Sequence, residues 1–159
     1  VTRYAAQTEV SSSRSRDEIE RTLVRYGADQ FIYGWQDDAA LVGFRMADRQ
    51  VKFILPLPSK DEHRFTHHAR GMRTPDAAFK EWEQAVRQRW RALLLVIKAK
   101  LEAVDSGISE FEDEFMANIV LPDGKTVSAW MRPQIGEAYR LGAMPAMLPM
   151  LPAPDSADG

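Results

Sequence analysis

Residues 30–55 read QFIYGWQDDAALVGFRMADRQVKFIL, and this stretch decides the fold. Runs rich in β-branched and aromatic residues at 30–36, 39–46 and 50–55 are separated by Asp37-Asp38 and by Ala47-Asp48-Arg49, which favour turns. With Asp37-Asp38 and Asp48-Arg49 as two-residue hairpin loops, position 33 faces 42, 31 faces 44, 44 faces 53 and 42 faces 55. Strand side chains alternate, so one sheet face collects Phe31, Tyr33, Trp35, Ala40, Val42, Phe44, Met46, Val51, Phe53 and Leu55. Both turns independently give this wholly apolar face, which is the expected core side of a three-stranded antiparallel meander. The other face receives Ile32, Gly34, Gln36, Leu41, Gly43, Arg45, Lys52 and Ile54, with Arg45 expected across from Lys52 and a counter-charge nearby. Its glycines admit close approach to the backbone.

Before the meander, Ser15-Arg16-Asp17-Glu18 has the form of a capping box, and Ile19, Leu23 and Tyr26 follow at helical spacing until Gly27. This predicts a first helix of about three turns, with residues 1–13 loose. After the meander, Pro56 and Pro58 end the third strand. Residues 59–73 read as a long cationic loop carrying Lys60, His63, Arg64, His67, His68, Arg70 and Arg73. Thr74-Pro75-Asp76 is a strong helix start. Phe79, Trp82, Val86, Trp90, Leu93, Ile97, Leu101 and Val104 recur at spacings of 3 and 4, marking one long amphipathic helix to about Val104. Lys80, Arg87, Arg91 and Lys98 share another line of that helix. Residues 92–97 are apolar nearly all round, so the sheet and a second element or another subunit are both expected to cover them.

Farther on, Ser109-Glu110-Phe111-Glu112 again resembles a capping box, and Phe111, Phe115 and Ile119 predict a helix of two to three turns. Residues 126–140, interrupted at Pro133 and followed by Gly142, read as one kinked helix or two short ones. The expected organisation is a single α+β domain over 1–142, with a Pro/Met-rich tail over 143–159.

The 159 residues contain no cysteine, which excludes a disulfide framework and any thiolate nucleophile or ligand. No stretch approaches the roughly 18 to 20 apolar residues of a membrane span. The start lacks a secretory pattern, so a cytoplasmic protein is expected. Charge is strongly segregated. Residues 1–44 carry 5 Lys/Arg and 7 Asp/Glu, residues 45–100 carry 13 and 6, and residues 101–159 carry 3 and 10. Net charges of -2, +7 and -7 follow, so the distribution of charge matters more than its total.

The segments RYGADQF (25–31), KFILPLP (52–58), AVRQRWRA (85–92), VIKAKLEA (96–103) and LPDG (121–124) resemble a family of small hypothetical proteins common in bacteriophage and metagenomic sequences. The resemblance runs from about residue 11 to residue 149 and brings no assigned activity. It implies a phage or mobile-element origin, hence DNA metabolism, host takeover or assembly, and a host-cell cytoplasmic location. In topology alone, helix, meander and long helix also resemble the core of ring-forming single-strand annealing proteins of the Rad52 type.

His63, His67 and His68, with Asp61 and Glu62, form the nearest approach to a metal cluster, but on an expected loop they lack the rigid ligand set zinc needs. Glu110, Glu112, Asp113 and Glu114 read as a solvated helix face. No phosphate loop, nucleophile elbow or His-Glu-x-x-His segment occurs, so neither enzyme activity nor a cofactor is expected. The basic block favours binding to nucleic acid, with single-stranded DNA and a recombination or annealing accessory role foremost and a homo-oligomer expected. The expected contacts are Arg45, Lys52, Lys60, Arg64, Arg70, Arg73, Arg87 and Arg91 on phosphates, with Phe65 as an exposed stacking platform. Two other readings stand beside this one. The basic block is paired with the chain's own acidic third, or the chain is a protein-binding or self-assembling module using residues 93–97 and the tail.

Overall fold

The computed structural model describes residues 3–36 and 38–143, with residues 3–12 described by their backbone alone. Asp37 of the first turn and residues 144–159 of the expected tail lie outside the described residues. The chain is an α+β fold: helix α1 (Arg3–Arg25), strands β1 (Gln30–Gln36), β2 (Ala39–Met46) and β3 (Arg49–Pro56), then a short α2 (His63–Thr66). Two-residue strands β4 (His67–His68) and β5 (Gly71–Met72) lead to the long α3 (Pro75–Asp105). A short α4 (Phe111–Phe115), a 3-10 turn (Met116–Asn118) and α5 (Val127–Leu141) complete it.

The meander is antiparallel in the order β1-β2-β3. Tyr33 pairs with Val42 and Phe31 with Phe44, as the first turn requires. The second register differs from the expectation by two residues, with Val42 opposite Phe53 and Phe44 opposite Val51. The loop residues are Ala47 and Asp48, at φ 51° and 55°, rather than Asp48 and Arg49. Positive φ at both central positions is the type I′ arrangement, whose twist matches that of the flanking strands. A two-residue slip preserves side-chain parity, so the core face survives the correction. Ala40, Val42, Phe44, Met46, Val51, Phe53 and Leu55 are buried, and Trp35 at the end of β1 is the exposed exception. The slip also separates Arg45 from Lys52: Arg45 faces Gln50, and Lys52 faces Gly43.

The core lies between this face and one layer of helices, the usual way for an antiparallel sheet to cover one side. Ile19 and Leu23 of α1 meet Trp82, Val86, Trp90, Leu93, Leu94, Ile97 and Leu101 of α3, all buried. Helix α1 is thus the second cover that residues 92–97 require, although Leu95 and Val96 remain exposed. Thr74 caps α3 by accepting from the Ala77 amide at 3.3 Å. The buried Trp82 indole donates to the Pro58 carbonyl at 2.8 Å, which anchors the helix to the chain leaving β3.

Three expectations change. Helix α1 begins at Arg3 and runs 23 residues, so residues 3–13 are helical and Ser15 lies inside the helix instead of capping it. The stretch 59–73 is ordered by α2 and the β4–β5 pair, held by Arg73, whose Nη1 donates to the carbonyls of Arg64 (2.8 Å), Phe65 (3.2 Å) and His67 (2.7 Å). The helix after Ser109 ends at Phe115, and the residue at its N-cap, Glu110, makes no side-chain cap. Phe115 then plugs the core edge-on to Phe44 and Phe53, at 5.8 and 6.4 Å between ring centroids. Ile119 bridges Val51, and Val120 donates to the Gln50 carbonyl at 2.8 Å, so this segment pairs with the outer edge of β3 instead of extending the helix. Of the two readings of residues 126–140, the structure has the single helix: α5 runs through Pro133, capped by Thr126 and ended by Gly142 at φ 66°.

Candidate nucleic-acid interface

Most of the expected phosphate contacts are engaged within the fold. On β2, Arg45 forks onto Asp29, its Nε donating to the two carboxylate oxygens at 2.9 and 3.1 Å. That hydrogen bonding, with the guanidinium charge, holds the Asp29 carboxyl below its usual range against a smaller opposing effect of desolvation. Asp29 is therefore the counter-charge that Arg45 needed. Lys52 donates to the Gly124 carbonyl at 3.2 Å. Lys60 lies over the rings of Phe79 and Trp82, at 5.3 and 4.7 Å. Arg64 donates to Glu62 at 2.6 Å and covers the Phe65 ring at 4.5 Å. Phe65 itself is only 4 % exposed, so it is a core residue and not a stacking platform. It was misread because the cationic stretch around it looked like an open loop, whereas α2 turns the ring inward. Arg73 is the carbonyl clamp already described, while Arg70 is exposed near the β4–β5 turn.

Pairing with the acidic third is real but local. Arg49 bonds Glu112 at 2.9 Å, and Lys100 bonds Glu114 at 3.4 Å while donating to its carbonyl at 2.9 Å. Both contacts dock α4 against β3 and the C-terminal half of α3. They leave the N-terminal half of α3 untouched.

There a polar groove of about 430 Å³ opens between α1 and α3, lined by Arg14, Ser15, Glu18, Gln84, Arg87, Gln88, Arg91 and Leu94. Arg87 and Arg91 are among the expected contacts, and the 31-residue α3 brings them to this one surface. Arg87 also bonds Glu83 at 2.9 Å, one turn back, yet remains half exposed. The groove's carboxylate, Glu18, is held by Lys98. The Lys98 hydrogen bond, aided by the charges of Lys98, Arg21 and Arg14, keeps its carboxyl below the usual range despite some desolvation. Arg14 and Arg91 are exposed, and among the described residues neither makes an ion pair. Sequence reading missed Arg14, Ser15, Gln84 and Gln88. The signal for Arg14 was its place one helical turn before Glu18, visible only if α1 starts upstream of Ser15.

The histidines do not form a ligand set. His63 and His67 stack at 4.2 Å, and Thr66 Oγ1 lies 2.7 Å from His67 Nδ1. Glu62 instead bonds Arg64 and the Ser59 amide. Among the described residues, no group of three or more His, Asp or Glu is placed to hold a metal ion, and no helix is long and apolar enough to cross a membrane. Comparison with protein-family models, curated proteins and solved structures gave no match.

Proposed function

We infer that this chain binds nucleic acid through its phosphates, at the groove between α1 and α3. One observation carries the reading: Arg14, Arg87 and Arg91 line one surface, the carboxylate in its lining, Glu18, is held by Lys98, and Arg87, bonded to Glu83, is still half exposed. The side chains between the arginines are Ser15, Gln84 and Gln88, short neutral donors suited to phosphate oxygens. Lining residues of this kind position a backbone without reading base edges, so binding is sequence-indifferent and weakens with salt. The finer form of the reading is a single-strand annealing or recombination accessory role in a phage. With Phe65 buried, that role rests on charge and not on stacking.

The test is fluorescence anisotropy with labelled single- and double-stranded oligonucleotides at low ionic strength, comparing the unaltered chain with R14E/R91E. Saturable binding that the double charge reversal abolishes is expected. Absence of binding, or equal binding by both proteins, overturns the proposal. A second reading, a self-assembling or protein-binding module, is favoured by a separate observation: apolar surface left exposed on the outer sheet face and on α5.

A further inference from the structure

The meander has two edges, and the fold treats them differently. On the outer side of β3, Ile119 bridges Val51, the Val120 amide donates to the Gln50 carbonyl, and Asn118 Nδ2 donates to the Lys52 carbonyl at 3.1 Å. On the outer side of β1, among the described residues, neither a bridge nor a backbone hydrogen bond joins the strand. Its sequence, QFIYGWQ, contains no charge and no proline, two of the usual devices that keep an edge from pairing with another chain. The core is also unfinished on this flank. The core-face residues of β2 and β3 are buried, whereas Phe31 and Tyr33 are half-buried and Trp35 is 43 % exposed.

The hairpin fixes which backbone groups point outward. Gln36 pairs with Ala39 across the two-residue loop, and the residues flanking such a loop exchange both of their hydrogen bonds. Alternation then turns the N–H and C=O groups of Gln30, Ile32, Gly34 and Gln36 toward β2, and those of Phe31, Tyr33 and Trp35 toward the free edge.

We propose that the free edge of β1 is the docking site for β1 of a second copy of this chain, paired antiparallel with Tyr33 at the two-fold axis. Only this register overlaps the whole strand, and it sets the outward groups of Phe31, Tyr33 and Trp35 against those of Trp35, Tyr33 and Phe31. On the core face, half-buried Phe31 meets exposed Trp35, an aromatic cross-strand pair. On the other face Ile32 meets Gly34. The chain already makes a pair of that kind: Ile32 stands opposite Gly43, where an added Cβ would come 2.8 Å from Ile32 Cγ1. At Gly34 nothing lies within 4 Å of the same position, which leaves the space that Ile32 of a second copy takes. Gln30 meets Gln36, so no like charges face each other. The strand is thus complementary to its own reverse, as an isologous interface requires, and this singles out a second copy over an unrelated strand. Parity is kept, so the α1–α3 layers of both copies lie on the same side of the joined sheet. A strand pair about 23 Å long is a small interface, so the dimer dissociates on dilution. None of its residues lines the α1–α3 groove, so the pairing does not depend on nucleic-acid binding.

The test uses the full-length chain without nucleic acid, so its failure leaves the groove reading untouched. Light scattering over a concentration series should show a monomer passing to a dimer. Trp35→Pro removes an outward amide that no strand of the same chain uses, and Ile32→Lys places a charge on the edge. Each should weaken the dimer by roughly tenfold while the circular dichroism of the dilute monomer stays that of the unaltered chain. The register is read by cross-linking, for which the absence of cysteine gives a clean background. Gly34 lies outside the left-handed region and has room for a side chain, so I32C and G34C chains are mixed and oxidised. A disulfide joining an I32C chain to a G34C chain is expected, in excess of the product from either variant alone. Three results each overturn the proposal: a monomer at every concentration, a dimer indifferent to both Trp35→Pro and Ile32→Lys, or cross-linking of I32C with itself in preference to G34C.

Discussion

The turn between β2 and β3 offers a direct test of the register. Ala47 and Asp48 sit at φ 51° and 55°, the left-handed region that side chains with a Cβ enter at a cost of about 1–2 kcal/mol each. Asparagine tolerates this conformation and glycine adopts it freely, and Asn-Gly is the preferred pair for a type I′ loop. Glycine gives back about 0.5–1 kcal/mol through its greater freedom in the unfolded chain. Replacing Ala47 by Asn and Asp48 by Gly should therefore stabilise the fold by about 1 kcal/mol, or about 2–4 °C in melting temperature for a chain of this size. Ala47→Val, which forces a β-branched side chain into the same region, should destabilise it by a similar amount. Urea unfolding followed by circular dichroism measures both, with an unchanged m-value showing that the effect is on stability. A loop at Asp48-Arg49 would put residue 47 in extended backbone, where Val is favourable and Asn unfavourable. A reversal of the two signs would refute the register.

Three further outcomes follow from the packing and charge. Phe115→Ala should cost about 3–5 kcal/mol in urea unfolding, because the ring is fully buried against Phe44, Phe53 and Phe111. A loss below about 1 kcal/mol would mean the acidic segment is not docked. Phe65→Ala should likewise destabilise the fold by about 3 kcal/mol while oligonucleotide affinity, measured where the protein is still folded, stays the same; a specific loss of affinity would restore Phe65 to the interface. Arg45→Gln should let the Asp29 carboxyl titrate closer to its usual range by NMR. A depressed carboxyl contributes stability that is fully present above the unfolded value and lost as pH falls through the folded one. The stability gap between the unaltered chain and R45Q should thus be constant near neutrality and shrink below about pH 4. A gap that widens on acidification would contradict the Arg45–Asp29 pair.

The core was legible because period-2 alternation in the meander and 3–4 spacing from Phe79 to Val104 each encode a face without reference to the rest of the chain. The register was less legible, since Ala47, Asp48 and Arg49 offer two possible loops and both preserve parity. Only the backbone shows that Ala47 takes the left-handed conformation. The candidate site was the least legible part. Charge counting places thirteen cations in residues 45–100, but it does not reveal which ones the fold engages. Arg45 meets Asp29, Arg73 clamps three carbonyls and Arg49 meets Glu112, through contacts 6 to 63 positions apart in the chain. What remains at the α1–α3 surface combines two residues from the block, Arg87 and Arg91, with Arg14, a residue the polar start of the chain did not suggest was helical.

The most direct test of the phosphate-binding groove is the salt dependence of oligonucleotide binding. Three arginines engaging three phosphates of a single strand predict a slope of log Kobs against log salt of about -2. Reversing Arg91 alone should flatten that slope by about 0.7 or more and weaken binding to every sequence alike. A slope that Arg91→Glu leaves unchanged, or no binding at the lowest salt, would contradict the central claim.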